Sequence, residues 1–247
     1  MATNDDALAR LEDLLARRWR AAVARPHIRG LPALVSVADR RLYALYLVQL
    51  HHYTQHAPRS QALAGVNPRN QAPEHRRYCF EHALEAVGHE RLALRDLHAA
   101  GYDLRDPAEV PPPLPATELL IAYLYWVAIE ADPVRRLGYG YFAERAYGFI
   151  DASMAELRER MGCAPSELSF YGSHKRMEER RGDDVGRLLT RVCKTSAEWQ
   201  AVERTAGTAF DLVLQVVEQV GQSYASVKGG SIPPGYERLA VLPPRER

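Results

Sequence analysis

The sequence predicts an all-α, single-domain bundle of about seven helices, and three observations carry that expectation. Apolar residues recur at helical spacing through most of the chain, while alternating strand patterns are nearly absent. Prolines and glycines fall at the edges of those periodic stretches, where they start and stop helices. The 247 residues are 47% hydrophobic and 26% charged, enough for one sizeable core, and no composition shift marks a second domain.

A first helix is expected from about Asp5 to Ala24, with Leu8, Leu11, Leu14, Leu15 and Trp19 on one face and Pro26 ending it. A second covers roughly Val37 to His56 and stops before Pro58, whose ring lacks an N–H and disfavours helix in the preceding residue. Pro73 suits the first turn of a third, which continues through HRRYCFEHALEAVGHERLALRDLHAA to a capping Gly101. The stretch from Asp106 to Pro115 carries five prolines and reads as an extended surface connection.

The fourth helix, about Thr117 to Ala131, is apolar nearly all round and is expected to be buried. Pro133 opens a fifth that reaches Gly162; a sixth spans about Ser166 to Val192 and a seventh Ser196 to Val227. The domain is thus expected over residues 1–227, followed by a mobile Gly/Pro-rich tail over 228–247.

Composition excludes several function classes. The net charge of +1 offers no basic excess for nucleic acid. No apolar run reaches the roughly 20 residues that span a bilayer, and the acidic, amphipathic start is not a signal peptide. Cys79, Cys163 and Cys193 are odd in number and widely spaced, which reads as free thiols in a reducing, cytoplasmic setting. Gly-rich phosphate loops, Ser-His-Asp and CxxC patterns are missing, so nucleotide binding and the common hydrolase chemistries lack support.

Polar residues do occur where a core is expected. Glu85 and His89 are four apart on the third helix, with His82 three before Glu85. Glu144 stands within LGYGYFAERAYG on the fifth, and His174 and Glu178 are one turn apart on the sixth. The second offers His51, His52 and His56. Bundle cores build metal sites from such carboxylates and imidazoles, and this donor mixture suits iron or manganese. By spacing alone, a solvated helix face competes with a polar pocket.

The run HALEAVGHERLALRDLHAAG resembles the third-helix signature of the heme-oxygenase-like diiron oxidases, the iron-containing redox enzymes. LGYGYFAERAYG is similar to the helix supplying that family's central Glu, and FYGSHKRMEERR to its H-x-x-x-D-x-x-H segment. The likeness covers about residues 35 to 225 and implies the heme-oxygenase-like fold, shared with thiaminase-II-like and PQQ-synthesis proteins that use no metal in catalysis. By position it implies His89, Glu144, His174 and Glu178 as iron ligands, with His52 and Glu85 as further candidates.

Three positions depart from the pattern. Ala86 stands where the family has a bridging Glu, and Glu85 is turned about 100 degrees from it on a helix. Arg181 replaces the last histidine and cannot ligate a metal. No carboxylate lies near His52 and Tyr53, where the second helix is expected to contribute one. A complete two-iron centre is therefore not expected.

Three readings of function stay open. The first is an oxidoreductase of small-molecule, natural-product metabolism activating oxygen at one iron, with a carboxylate, amino-acid or fatty-acid-like substrate held by Arg181. The second is a metal-independent enzyme in which Glu144 or Glu178 is the base, His89 or His174 the acid, and Arg181 the anion binder. The third is a non-catalytic binding or partner protein. The resemblance also implies a possible homodimer. Tyr46, Tyr53, Tyr123, Tyr125, Trp126, Tyr139 and Tyr141 read as core aromatics or pocket wall.

Overall fold

The computed structural model describes residues 3–24, 39–102, 107–162, 164, 168–173 and 183–241. Nine α-helices are present among them: α1 (Asn4–Ala24), α2 (Arg40–Val66), α3 (Pro73–Glu85), α4 (His89–Ala99), α5 (Pro115–Ile129), α6 (Arg135–Met161), α7 (Asp184–Val192), α8 (Ser196–Lys228) and α9 (Glu237–Ala240). No strand occurs among the described residues. None of the described helices is long and apolar enough to cross a membrane.

Two long helices organise the bundle. α8 packs against α1, α2, α5 and α6, while α2 packs against α3, α4 and α5. α8 begins at a capping box, in which Thr195 accepts from the Glu198 N–H and the Glu198 carboxylate accepts from the Thr195 N–H. Two apolar cores result. One surrounds Leu45, Leu47, Val48, Ala93, Leu97 and Val220; the other surrounds Leu11, Leu15, Leu137, Leu189, Val202 and Ala206.

The structure departs from the expected elements in four places. α2 does not stop before Pro58 but continues to Val66. An interior proline costs a helix about 3 kcal/mol. The turns beyond it pack on α3, with Ser60, Gln61, Ala64 and Gly65 buried. At Gly65 the close approach requires the missing side chain, because a Cβ there would lie 3.1 Å from both Cys79 and Phe80.

The expected third helix is two helices. Ala86, Val87 and Gly88 form a turn with Gly88 at φ +90°, a conformation that favours glycine. The Ala86 N–H still donates to His82 and the His89 N–H donates to Ala86. Glu85 therefore ends α3 and His89 begins α4, so the two do not stack along one helix face.

α5 is buried on only one face, by Leu120, Leu124, Val127 and Ala128. Leu119, Trp126 and Ile129 are about half exposed, against the expectation of burial all round. Tyr236 and Leu239 are buried, and the Tyr236 hydroxyl donates to Pro112 (2.6 Å) and accepts from Gln49 (3.0 Å). The expected sixth helix appears as a helical turn over 168–173 and as α7; His174, Glu178 and Arg181 lie outside the described residues.

Candidate functional site

A cavity of about 150 Å³ lies where the two cores meet. α2 supplies Tyr43, Tyr46, Leu50 and Tyr53, a stripe at steps of three and four that a helix brings to one side. α8 supplies Phe210, Val213, Leu214 and Val217 by the same spacing. α6 crosses between them with Phe142, Ala143, Ala146, Tyr147 and Ile150, and the 168–173 turn closes the wall with Phe170 and Tyr171. The aromatic rings brace one another: Trp19 stacks on Phe149 at 5.3 Å, and Phe142 meets Phe210 edge-on at 5.6 Å. The wall is thus almost wholly apolar.

Its polar features are few and specific. Asp39, the N-cap of α2, reaches the cavity and is 6% exposed. Burial works to raise its pKa, but hydrogen bonds from Arg41 Nη2 (2.7 Å) and the Tyr224 hydroxyl (2.7 Å) win and hold the carboxylate ionised. Tyr46 and Tyr53 retain some accessible area because they face the cavity. Their hydroxyls are nonetheless deep in the protein, and burial pushes Tyr46 up to about 12 and Tyr53 well above the ordinary value. Both are neutral donors at physiological pH.

A buried carboxylate sets the position of the 168–173 wall. Asp96 is completely buried and accepts from the Ser169 N–H (2.9 Å), the Phe170 N–H (2.9 Å) and the Ser169 hydroxyl. It acts as a cap for that turn from another helix, so α4 fixes where Phe170 and Tyr171 stand. Sequence reading did not single Asp96 out, because a lone Asp in RDLHAAG gives no sign of its distant partners.

Of the residues singled out for chemistry, Glu144 lies on α6, half-buried, adjacent in sequence to the cavity-lining Ala143. His89 is the first residue of α4, and burial lowers its pKa, so the imidazole is neutral at pH 7. Glu85 is exposed at the end of α3. His52 turns toward the proline-rich connection, with Nε2 2.7 Å from the Pro111 carbonyl and Nδ1 3.4 Å from Gln55 Nε2. Both of its ring nitrogens are engaged. His51 is buried, with Nδ1 3.3 Å from the Glu90 carbonyl. Tyr46 and Tyr53 line the cavity; Tyr139 and Tyr141 pack into the core around α1, α6 and α8. Cys79 and Cys193 are buried free thiols pushed up to about 11 and about 12 by burial.

These positions bear directly on iron. Ala86, 3% exposed, puts a buried methyl where the resemblance expects a bridging carboxylate, and Glu85 beside it is exposed. Among the described residues no three histidine, cysteine, aspartate or glutamate side chains lie close enough to hold a metal ion. An alanine side chain cannot ligate a metal, so position 86 does not supply the bridging carboxylate of a two-iron set. A single-ion set is compatible in donor chemistry only, with the neutral His89 imidazole and the half-buried Glu144 carboxylate as its described members.

The comparisons with known proteins agree with this architecture. The family model for the iron-containing redox enzymes matches residues 44–212. A domain of unknown function with a heme oxygenase-like fold from Shewanella denitrificans is 33% identical; the match covers 90% of this chain and 95% of that one, with a TM-score of 0.84. A TenA homologue from P. horikoshii is 13% identical, covering 87% of this chain and 98% of that one at a TM-score of 0.69. A TenA homologue from Pseudomonas syringae pv. tomato is 12% identical, covering 87% and 92% at a TM-score of 0.66; these two likenesses show the fold alone. No curated protein matches the sequence. A single all-α domain of heme-oxygenase-like fold, matched over more than half its length, makes this chain a member of the iron-containing redox enzyme family.

Proposed function

We propose that the protein is a small-molecule oxidoreductase whose substrate seats an apolar body in the cavity between α2, α6 and α8. The observation that carries this reading is the cavity itself, about 150 Å³ and walled by aromatic side chains, on the helix that bears Glu144. A space of that size holds roughly one benzene-sized ring or a short chain. The substrate class we favour is a small aromatic or short-chain carboxylate of natural-product metabolism.

One iron held by His89, Glu144, His174 and Glu178 would supply the reduction of dioxygen. The chain's own residues do the rest. The aromatic wall excludes water, and the neutral hydroxyls of Tyr46 and Tyr53 offer hydrogen bonds to a polar substituent of the substrate. Arg181 would hold the carboxylate. The test is oxygen uptake by ferrous-loaded protein over a panel of small aromatic and short-chain acids. Uptake stimulated at least tenfold by one acid, and lost in Glu144→Gln, supports the reading; uptake equal in wild type and variant ends it.

The buried methyl of Ala86 favours a second reading, in which the site works without metal and Glu144 acts as a general base. Turnover that survives exhaustive chelation would select this alternative.

A further inference from the structure

Arg136 is 2% exposed, and among the described residues no carboxylate pairs with it. Its guanidinium lies 4.5 Å from the centre of the Tyr139 ring, which covers one face. Nε and Nη2 are both buried with no hydrogen-bond partner. Those two nitrogens form one edge of the guanidinium, whose parallel N–H groups match the two oxygens of a carboxylate. A guanidinium does not discharge by losing its proton, so a buried one demands a counter-charge.

The surroundings are polar in the same unfinished way. His75 on α3 and Gln61 on α2 are 2% and 1% exposed, and His75 Nε2 and Gln61 Oε1 are buried without partners. His75 and Cys79 both interact electrostatically with Arg136, and the Gln61 side chain hydrogen-bonds to Cys79. Burial first, and Arg136 second, push His75 down to about 4, so it adds no positive charge at neutral pH. Arg136 is not among the cavity-lining residues, so this cluster stands apart from the site described above.

We propose that Arg136, with His75, forms a buried binding site for a small carboxylate, gripped side-on by Nε and Nη2. The neutral His75 imidazole offers an Nε2–H donor beside it, and the Tyr139 ring covers one face of the guanidinium. The site takes a planar monoanion in preference to a halide, because only the former uses both N–H groups of the edge at once.

The probe is sodium formate, titrated from zero to 100 mM against sodium chloride at constant ionic strength, roughly a tenth molar. The readout is the midpoint of thermal unfolding. Wild type is expected to show a saturable rise with formate that chloride does not reproduce. Arg136→Lys keeps the charge but loses the edge, and should raise the half-saturating formate concentration at least tenfold. Arg136→Gln, if it folds, should show no formate response. A wild-type midpoint that follows ionic strength alone overturns the proposal, as does a formate response undiminished in Arg136→Lys.

Discussion

Asp96 and Ser169 are joined by two hydrogen bonds across 73 residues of chain, from the Ser169 N–H and from its hydroxyl to one carboxylate oxygen. The other oxygen takes the Phe170 N–H at 2.9 Å. Replacing Asp96 with Ala removes the acceptor and leaves those buried donors unpaired. Each such group costs about 1–3 kcal/mol, so the expected loss in denaturant unfolding is about 3–5 kcal/mol. Asp96→Asn retains one acceptor and should lose less than half as much.

The cavity wall can be filled without touching a polar group. Ala146 faces the space from α6, and a Leu there adds three carbons to a volume of about 150 Å³. Ala146→Leu should leave the thermal midpoint within a few degrees of wild type. Affinity for benzene, read by calorimetry, should fall at least tenfold, since the ligand and the new side chain compete for one space.

The turn between α3 and α4 isolates a backbone effect. A Cβ on Gly88 would meet nothing within 4 Å, so only the positive φ of +90° opposes a side chain. Gly88→Ala should destabilise the fold by about 1 kcal/mol, and Gly88→Asn by less, because Asn tolerates this region better.

His75 gives the fold a dependence on pH. It is buried neutral, with its pKa pushed down to about 4 from the ordinary 6.5. A histidine depressed in the folded state binds fewer protons there than in the unfolded chain, so stability rises with pH between about 4 and 6.5. Lowering the pH from 7 to 4 should remove about 3 kcal/mol through this group. His75→Gln should flatten that slope in urea titrations at several pH values.

Much of the bundle was legible in the chain because helical periodicity, capping and terminal glycines agree along it. α6 ends at Gly162 and α8 begins at Ser196, as the pattern reads, and the capping box at Thr195 states its own position. What was illegible depends on partners far away in sequence. Pro58 sits inside a helix because α3 packs on the turns beyond it, and the 229–241 segment docks because Gln49 and Pro112 await Tyr236. A single glycine, Gly88, splits what periodicity reads as one helix and separates Glu85 from His89.

The site was legible in part. The stripe of Tyr46 and Tyr53 on α2 could be read as a pocket wall, and both line the cavity. Arg136 carried no signal, since two arginines after Asp-Pro-Val read as an ordinary helix start. Tyr139 stands three residues on along the same helix, but His75 and Cys79 of α3 are brought to Arg136 only by the fold.

In the proposed function one iron is held beside the apolar cavity by His89 and Glu144 together with His174 and Glu178. The direct measurement is the iron content of protein loaded anaerobically with ferrous salt and freed of excess metal, in wild type and in Glu144→Gln. Close to one equivalent per chain is expected in wild type, with a loss of at least tenfold in the variant. Less than about a tenth of an equivalent in wild type, or two equivalents, would contradict it.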